Sequence, residues 1–191
     1  MTRIFAAIAI LALAGSALAG YSIGFKHAWV ASDAQNPSMS DMYMLRFGAM
    51  ASPQFRMEGL LGYNKWSSET DPGDAESDNS TWAFGASGYY LVADPANTQF
   101  SIGGQFIYAK SSSETNGEDG PETSGYVISP LMRIDFAIPG AERFALFTEY
   151  GIRYFSSTTT VEGAEQDTDY SYSGYQTYAP SEILAGAYYS F

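Results

Sequence analysis

From residue 21 onward, large apolar and small or polar residues alternate with a period of two. In "YSIGFKHAWV" the residues Tyr21, Ile23, Phe25 and Trp29 fall on one face and Ser22, Gly24, Lys26 and Ala28 on the other. That is the signature of a strand. The pattern predicts eight strands, at 21–30, 41–50, 55–66, 81–92, 99–109, 125–138, 143–154 and 178–191. Pro130 falls inside the sixth and removes a ladder hydrogen bond, so either that strand starts later or a bulge sits there.

The connections differ in kind. Three are short and carry Pro53, Pro95 and Pro139, which is turn chemistry. The four that alternate with them, 31–40, 67–80, 110–124 and 155–177, are longer and polar. In an up-and-down meander this puts every tight turn at one end and every long loop at the other, as in transmembrane β-barrels. A soluble barrel would show the same alternation with its apolar face turned inward. Three features favour the inverted arrangement. One face is almost free of charge, aromatic residues such as Tyr63, Trp66, Trp82 and Tyr90 sit near strand ends, and the other face is mostly Gly, Ser and Ala with scattered charges.

Composition bears this out. The 191 residues are 46% hydrophobic and 16% aromatic with no cysteine, enough for one packed unit that is not held by disulfides. No stretch after Gly20 supplies the run of about 18 apolar residues a membrane helix needs, so a membrane is crossed by strands. Residues 1–19 read as a cleaved signal peptide: a basic start at Arg3, an apolar run from Ile4 to Gly15, and small residues at Ala17 and Ala19. Residues 20–191 then form a single barrel domain, an all-β, eight-stranded antiparallel up-and-down transmembrane β-barrel.

With the small-residue face inward, the interior charges are Lys26, Arg46, Arg56, Arg133 and Arg153 against Glu58, Asp135, Glu149 and Glu182. They nearly cancel, so a paired ionic network is expected in a lumen just wide enough for side chains. Arg56, Asp135 and Arg153 lie near strand ends and belong either to that network or to hydrated mouths.

The chain ends "GAYYSF", in which Gly186, Tyr189 and Phe191 are spaced as a glycine, an aromatic and a terminal aromatic. This resembles the C-terminal signature of bacterial outer-membrane β-barrels, which the barrel assembly machinery reads. Together with the strand plan, the chain resembles the small barrel class that includes the OmpA transmembrane domain and the OmpX-like proteins. The resemblance implies residence in the outer membrane of a Gram-negative-type bacterium, with membrane lipid and the assembly machinery as partners. No peptidoglycan-binding domain of the OmpA kind is expected after the last strand.

Candidate chemistry is sparse. Lipid-modifying barrels of that membrane use His, Ser and an acid, and here His27 is the sole histidine, on the outward parity with Ser32 and Asp33 in the next loop. No serine stands two residues from it on its own face, so no catalytic residues and no enzyme are expected. In "ETDPGDAESDNS" the residues Asp74, Glu76 and Asp78 imitate a calcium loop, but Asn79 stands where glycine is needed and Gly85 where glutamate is needed. No metal and no cofactor are implied.

Charge narrows the partners. Of the 21 acidic residues 15 fall in the four long loops or at Asp41 beside them, where Lys110 is the only base. Such a surface repels nucleic acid. It suits a cationic ligand or an extracellular protein, and the candidate binding residues are Asp71, Asp74, Glu76, Asp78, Tyr170, Tyr172 and Tyr175. The tyrosines either line an adaptable binding surface or cover one another on strands seven and eight as these continue above the membrane. The function expected is structural or surface interaction through acidic, Tyr-rich loops with the interior plugged by ion pairs; a narrow pore for small solutes or ions is the alternative.

Overall fold

The computed structural model describes residues 20–30, 43–70, 75–95, 97–116, 118–161, 167–177 and 182–191. The strands are β1 (Tyr21–Val30), β2 (Met44–Ser52), β3 (Phe55–Thr70), β4 (Ala75–Ala93), β5 (Thr98–Thr115), β6 (Glu118–Ile138), β7 (Ala141–Val161), β8 (Thr168–Thr177) and β9 (Glu182–Ser190). Each of β1 to β6 pairs antiparallel with the next, β6 pairs with β7, β7 with β9, and β9 returns to β1. The sheet therefore closes into a ring of eight, with β8 lying on the far part of β7 as an extension of the last strand.

Closure demands a stagger, and the register supplies it. Ala28 of β1 leads round the ring through Leu184, Glu149, Arg133 and Ser101 to Leu91, whose amide donates to the Gln54 carbonyl at 2.8 Å. A row that leaves β1 near its end thus arrives at the β2–β3 turn, beside the start of β1. Strands tilted steeply to the barrel axis produce this offset.

At the tight-turn end, Pro139 and Gly140 make the β6–β7 connection, and Gly140 takes φ 82°, a conformation that glycine adopts without steric cost. Pro130 corrects both expectations for the sixth strand. The strand neither starts late nor bulges there: Pro130 pairs with Gly104, and the ladder to β7 omits only the pairs at 129 and 130 before resuming in the same register at Leu131 and Gly151. A residue without an N–H leaves a gap in one ladder without shifting it.

The opposite end differs more from expectation. Most of 67–80, 110–124 and 155–177, expected as loops, is strand: the β3–β4 ladder runs to Thr70 and Ala75, the β5–β6 ladder to Thr115 and Glu118, and the β7–β8 ladder to Val161 and Thr168. These runs are Ser- and Thr-rich, and cross-strand hydroxyl pairs knit them, as between Thr81 and Ser111 (2.6 Å) and between Thr123 and Thr159 (2.8 Å). Two tips are tied together as well, the Asn116 amide donating to the Glu76 carbonyl and the Glu76 amide to the Asn116 side chain. The last strand, expected at 178–191, is described from Glu182 onward as β9, and β8 falls within the connection expected at 155–177. Residues 1–19, the 31–40 connection, Asp71 and Asp74 lie outside the described residues.

Parity assigns the faces. The outward face carries Phe25, Leu45, Phe47, Met57, Phe84, Ile102, Phe106, Ile128, Met132 and Leu146, all exposed. A continuous exposed apolar surface of this kind on a closed barrel is a lipid-facing surface. Near the extended end its aromatics associate: Trp82, Phe84 and Tyr108 cluster, and Tyr126 stacks on Phe106 and leads through Tyr154 to Tyr175. This is an interfacial girdle. Trp66, expected beside Tyr63 in that girdle, sits on the inward parity of β3 and is 59% exposed on the extension. Ala86 lies on the outward face between Trp82 and Tyr90. Ala86→Arg is expected to cost about 2–4 kcal/mol of stability in a bilayer, read by denaturant unfolding from liposomes, because it places a charge in hydrocarbon.

Candidate functional site

The lumen is layered. Small inward residues leave space that a few large ones fill, and the centre of the charged layer is Arg133. Its Nη2 and Nε contact Asp135 at 2.7 and 3.0 Å, and its Nη1 contacts Glu58 at 2.8 Å and Glu149 at 3.3 Å. Arg46 pairs with Glu58, and Lys26 with both Glu149 and Gln105. Arg56 reaches Asp135 and the Tyr188 hydroxyl, each at 3.1 Å, and Tyr89 donates to Glu149 at 2.7 Å. Arg46 and Arg133 have no exposed surface at all.

Aromatic faces complete the layer. The Arg133 guanidinium lies 3.9 Å from the centre of the Phe147 ring, and that of Arg46 lies 4.3 Å from the Tyr188 ring. Such stacking stabilises a guanidinium that has left water. Gly186 makes it possible: a Cβ there would lie 2.5 Å from Cζ of Phe147 and 2.1 Å from the Phe25 carbonyl oxygen. The glycine at the head of the C-terminal signature thus has a packing role of its own.

Above the charges, toward the extended end, Met44, Leu60, Ala83, Ile107 and Ala109 form a buried apolar cluster. Sequence reasoning missed this layer by treating the inner face as small residues with charges. The signal was Met44, Leu60 and Ile107 on the inward parity.

Of the interior residues expected from the sequence, the structure joins Lys26, Arg46, Arg56, Glu58, Arg133, Asp135 and Glu149. Arg56 and Asp135, placed between network and mouth, belong to the network. Arg153 lies higher in the barrel, where its Nε and Nη2 donate to Gln176 on β8 at 3.1 and 2.6 Å. The Glu182 side chain lies outside the described residues, although its backbone pairs with Val30. Tyr189 and Phe191 sit at the tight-turn end, ring to ring at 5.3 Å. His27 is buried beneath a stacked Tyr43 ring, 4.0 Å away, and among the described residues no cluster of His, Asp and Glu is arranged to hold a metal.

The candidate binding residues of the extension are divided between its two faces. Tyr170 and Tyr172 pair with Thr159 and Ser157 on the inward parity, with Tyr172 against Phe155 at 5.5 Å. Tyr175 pairs with Tyr154 on the outer face and belongs to the girdle. Glu76 and Asp78 are also outward, where Asp78 bonds Lys65 at 2.8 Å. Acids and tyrosines that look like one surface in the sequence are therefore separated by the pleat.

No protein-family model matches the sequence, and no curated protein does. Solved structures of similar chain path include Neisserial surface protein A, with 16% identity over 90% of this chain and 96% of that one at a TM-score of 0.48. A major outer membrane protein from Thermus thermophilus shows 13% identity over 90% and 98% at 0.49. Ail, the attachment invasion locus protein of Yersinia pestis, shows 11% over 90% and 97% at 0.42. At such identities no residue role passes from them to this chain.

Two outcomes test the site. Glu58→Gln strands the buried guanidinium of Arg46, takes one of three carboxylates from Arg133 and is expected to cost about 3–5 kcal/mol in unfolding measurements, whereas the volume-matched double change Arg46→Met with Glu58→Leu costs less. On the extension, the hydrogen bond and charge of Lys65, then the Ser67 hydroxyl, hold the Asp78 carboxyl below the usual aspartate range, and Asp78 in turn raises Lys65. A depressed carboxylate contributes stability above its unfolded pKa and loses that contribution as pH falls through the folded one. An NMR titration is expected to find Asp78 titrating low in the wild type and closer to the ordinary value in Lys65→Met, where the Ser67 hydroxyl remains.

Proposed function

We propose that the chain is an outer-membrane barrel of a Gram-negative-type bacterium that serves as a structural or surface-interaction protein, without enzymatic activity. The single observation that carries this reading is the pairing of a filled lumen with a built extension. A charged layer and an apolar layer cross the interior, while six strands continue as ordered ladder beyond the girdle. An eight-stranded ring encloses little space, and here that space is occupied by Arg133 and its partners. The pore alternative gains no support from such an interior.

The extension is the part available to other molecules. Its outer wall bears Glu76, Asp78, Glu114 and Glu122 with Lys65 and Lys110 among them, so it disfavours nucleic acid and suits a cationic or extracellular protein partner. In assembly, Gly186, Tyr189 and Phe191 are the residues proposed to engage the barrel assembly machinery, and the outward belt engages lipid.

In planar bilayers the folded protein is expected to give no steady ion conductance, and Arg46→Ala is expected to open a small one. Steady conductance in the wild type would replace this reading with the pore. Intact cells expressing the protein are expected to expose the extension, which carries Tyr170 and Tyr172, to added protease. Tyr170→Ser with Tyr172→Ser is expected to reduce adherence of those cells to host-type surfaces while gel mobility before and after boiling stays that of the wild type.

A further inference from the structure

One ladder row of the extension runs across β3 to β8 on the inner wall. Asn64 pairs with Thr81, Thr81 with Ser111, Ser111 with Thr123, Thr123 with Thr159, and Thr159 with Tyr170. Every member carries a hydrogen-bonding side chain, none is buried, and neighbours stand one strand spacing, about 4.8 Å, apart. Within the row Thr81 bonds Ser111, and Thr123 bonds Thr159. In a hydroxyl pair one O–H donates to the other. The accepting oxygen keeps its own O–H and both keep a lone pair, so each pair can still donate to and accept from a molecule in the bore.

Aromatic rings stand at both ends of the row. Trp66 follows Asn64 on the same face of β3 and is exposed, while Tyr170 closes the row on β8 with Tyr172 next on its face. Two positions along a strand put the tyrosines about 6.7 Å apart. They are 63% and 64% exposed, so they do not cover one another. Tyr172 is braced instead by Phe155, and Gly174 gives that ring its room, because a Cβ there would lie 3.1 Å from Cζ of Phe155.

Charge is scarce on this wall. Among the described residues it carries Arg153, bonded to Gln176, and Glu118 at the tip. The outer wall carries Glu76, Asp78, Glu114 and Glu122, and the chain has a formal net charge of -12. A polyanion is repelled by such a surface, and a polycation is drawn to the outer wall.

We infer that the inner wall of the extension binds an uncharged glycan of another surface. Its hydroxyls exchange hydrogen bonds with the row, and the C–H faces of its sugar rings lie on Tyr170 and Tyr172, with Trp66 at the far end. Hydroxyls that both donate and accept, beside exposed ring faces, are what a saccharide complements. A protein segment needs apolar pockets for its side chains, and between these rings the wall offers hydroxyls. The wall lies beyond the girdle, so the partner reaches it from outside the membrane. This inference rests on the surface-interaction reading and names the class of partner.

The test uses the full mature chain, folded in a detergent without a sugar headgroup and applied to an array of immobilised neutral, sialylated and sulfated oligosaccharides. Binding is expected on neutral members. Tyr172→Ala is expected to weaken it about tenfold through loss of the ring. Tyr172→Phe, which keeps the ring, is expected to bind within a few-fold of the wild type, and Thr123→Val, which removes a hydroxyl and keeps the shape, to bind several-fold more weakly. Gel mobility before and after boiling checks the fold of each variant. Binding to no member, binding confined to sialylated and sulfated members, or binding unchanged in Tyr172→Ala overturns the inference. Adherence of expressing cells tells its failure from that of the surface reading. Mild periodate, which cleaves vicinal diols of sugars, is expected to abolish adherence when applied to the target surface. Adherence that survives periodate and is lost to protease makes the partner a protein, and the glycan falls while the surface reading stands. Cells that do not adhere, with a blank array, overturn both.

Discussion

A strand in hydrocarbon has no water to satisfy its N–H and C=O groups, so every strand needs a partner on both edges. The pairing of β9 with β1 meets that demand, and most of the molecule follows from it. Eight tilted strands fix a narrow bore, and a narrow bore must be filled by the side chains that point into it. Filling with apolar groups alone would be simpler. The chain instead places Arg133 at the centre, shared among Glu58, Asp135 and Glu149, and lets Phe147 and Tyr188 cover the guanidiniums. These contacts tie β3, β6, β7 and β9 to one another across the lumen, where ladder hydrogen bonds cannot reach.

Such an arrangement adds little net stability, because removing charges from water offsets most of what their pairing returns. Its effect is on register. A one-residue slip of β6 would turn Arg133 and Asp135 into the lipid and bring Met132 and Ile134 inward. The charged layer therefore penalises every wrong register of the strands that carry it. The apolar belt alone penalises such a slip less, because many of the inward residues are Gly, Ser or Ala and tolerate either face.

The alternation of faces was legible in the sequence because the period of two persists through every strand, and the seven network residues follow from parity alone. Two things were not legible. One was where strands end: runs such as Ser111–Ser112 and Thr158–Thr160 lack the apolar half of the alternation, so they read as loop although their backbones pair in the ladder. The other was the neighbour each charge would choose. Arg153 has inward parity like Arg133, but it stands above the layer, where its guanidinium donates to Gln176 on the extension. Parity gives the side of a sheet and says nothing of height, and in a sheared barrel height depends on the whole register.

Where the strands leave the membrane, the pleat continues to sort residues although lipid no longer requires it. Glu76, Asp78, Glu114 and Glu122 lie outward, with Lys65 and Lys110 paired among them. Asn79, Thr81, Ser111, Thr123, Ser157 and Thr159 lie inward together with Trp66, Tyr170 and Tyr172. Acids on the inner wall would face one another across the bore, and their repulsion would oppose the curvature that closure imposes. On the outer wall the same curvature spreads them apart. Placing most of the acids on the convex side is thus what a curved sheet favours electrostatically, and it leaves a concave side rich in hydroxyls and carrying exposed aromatic rings.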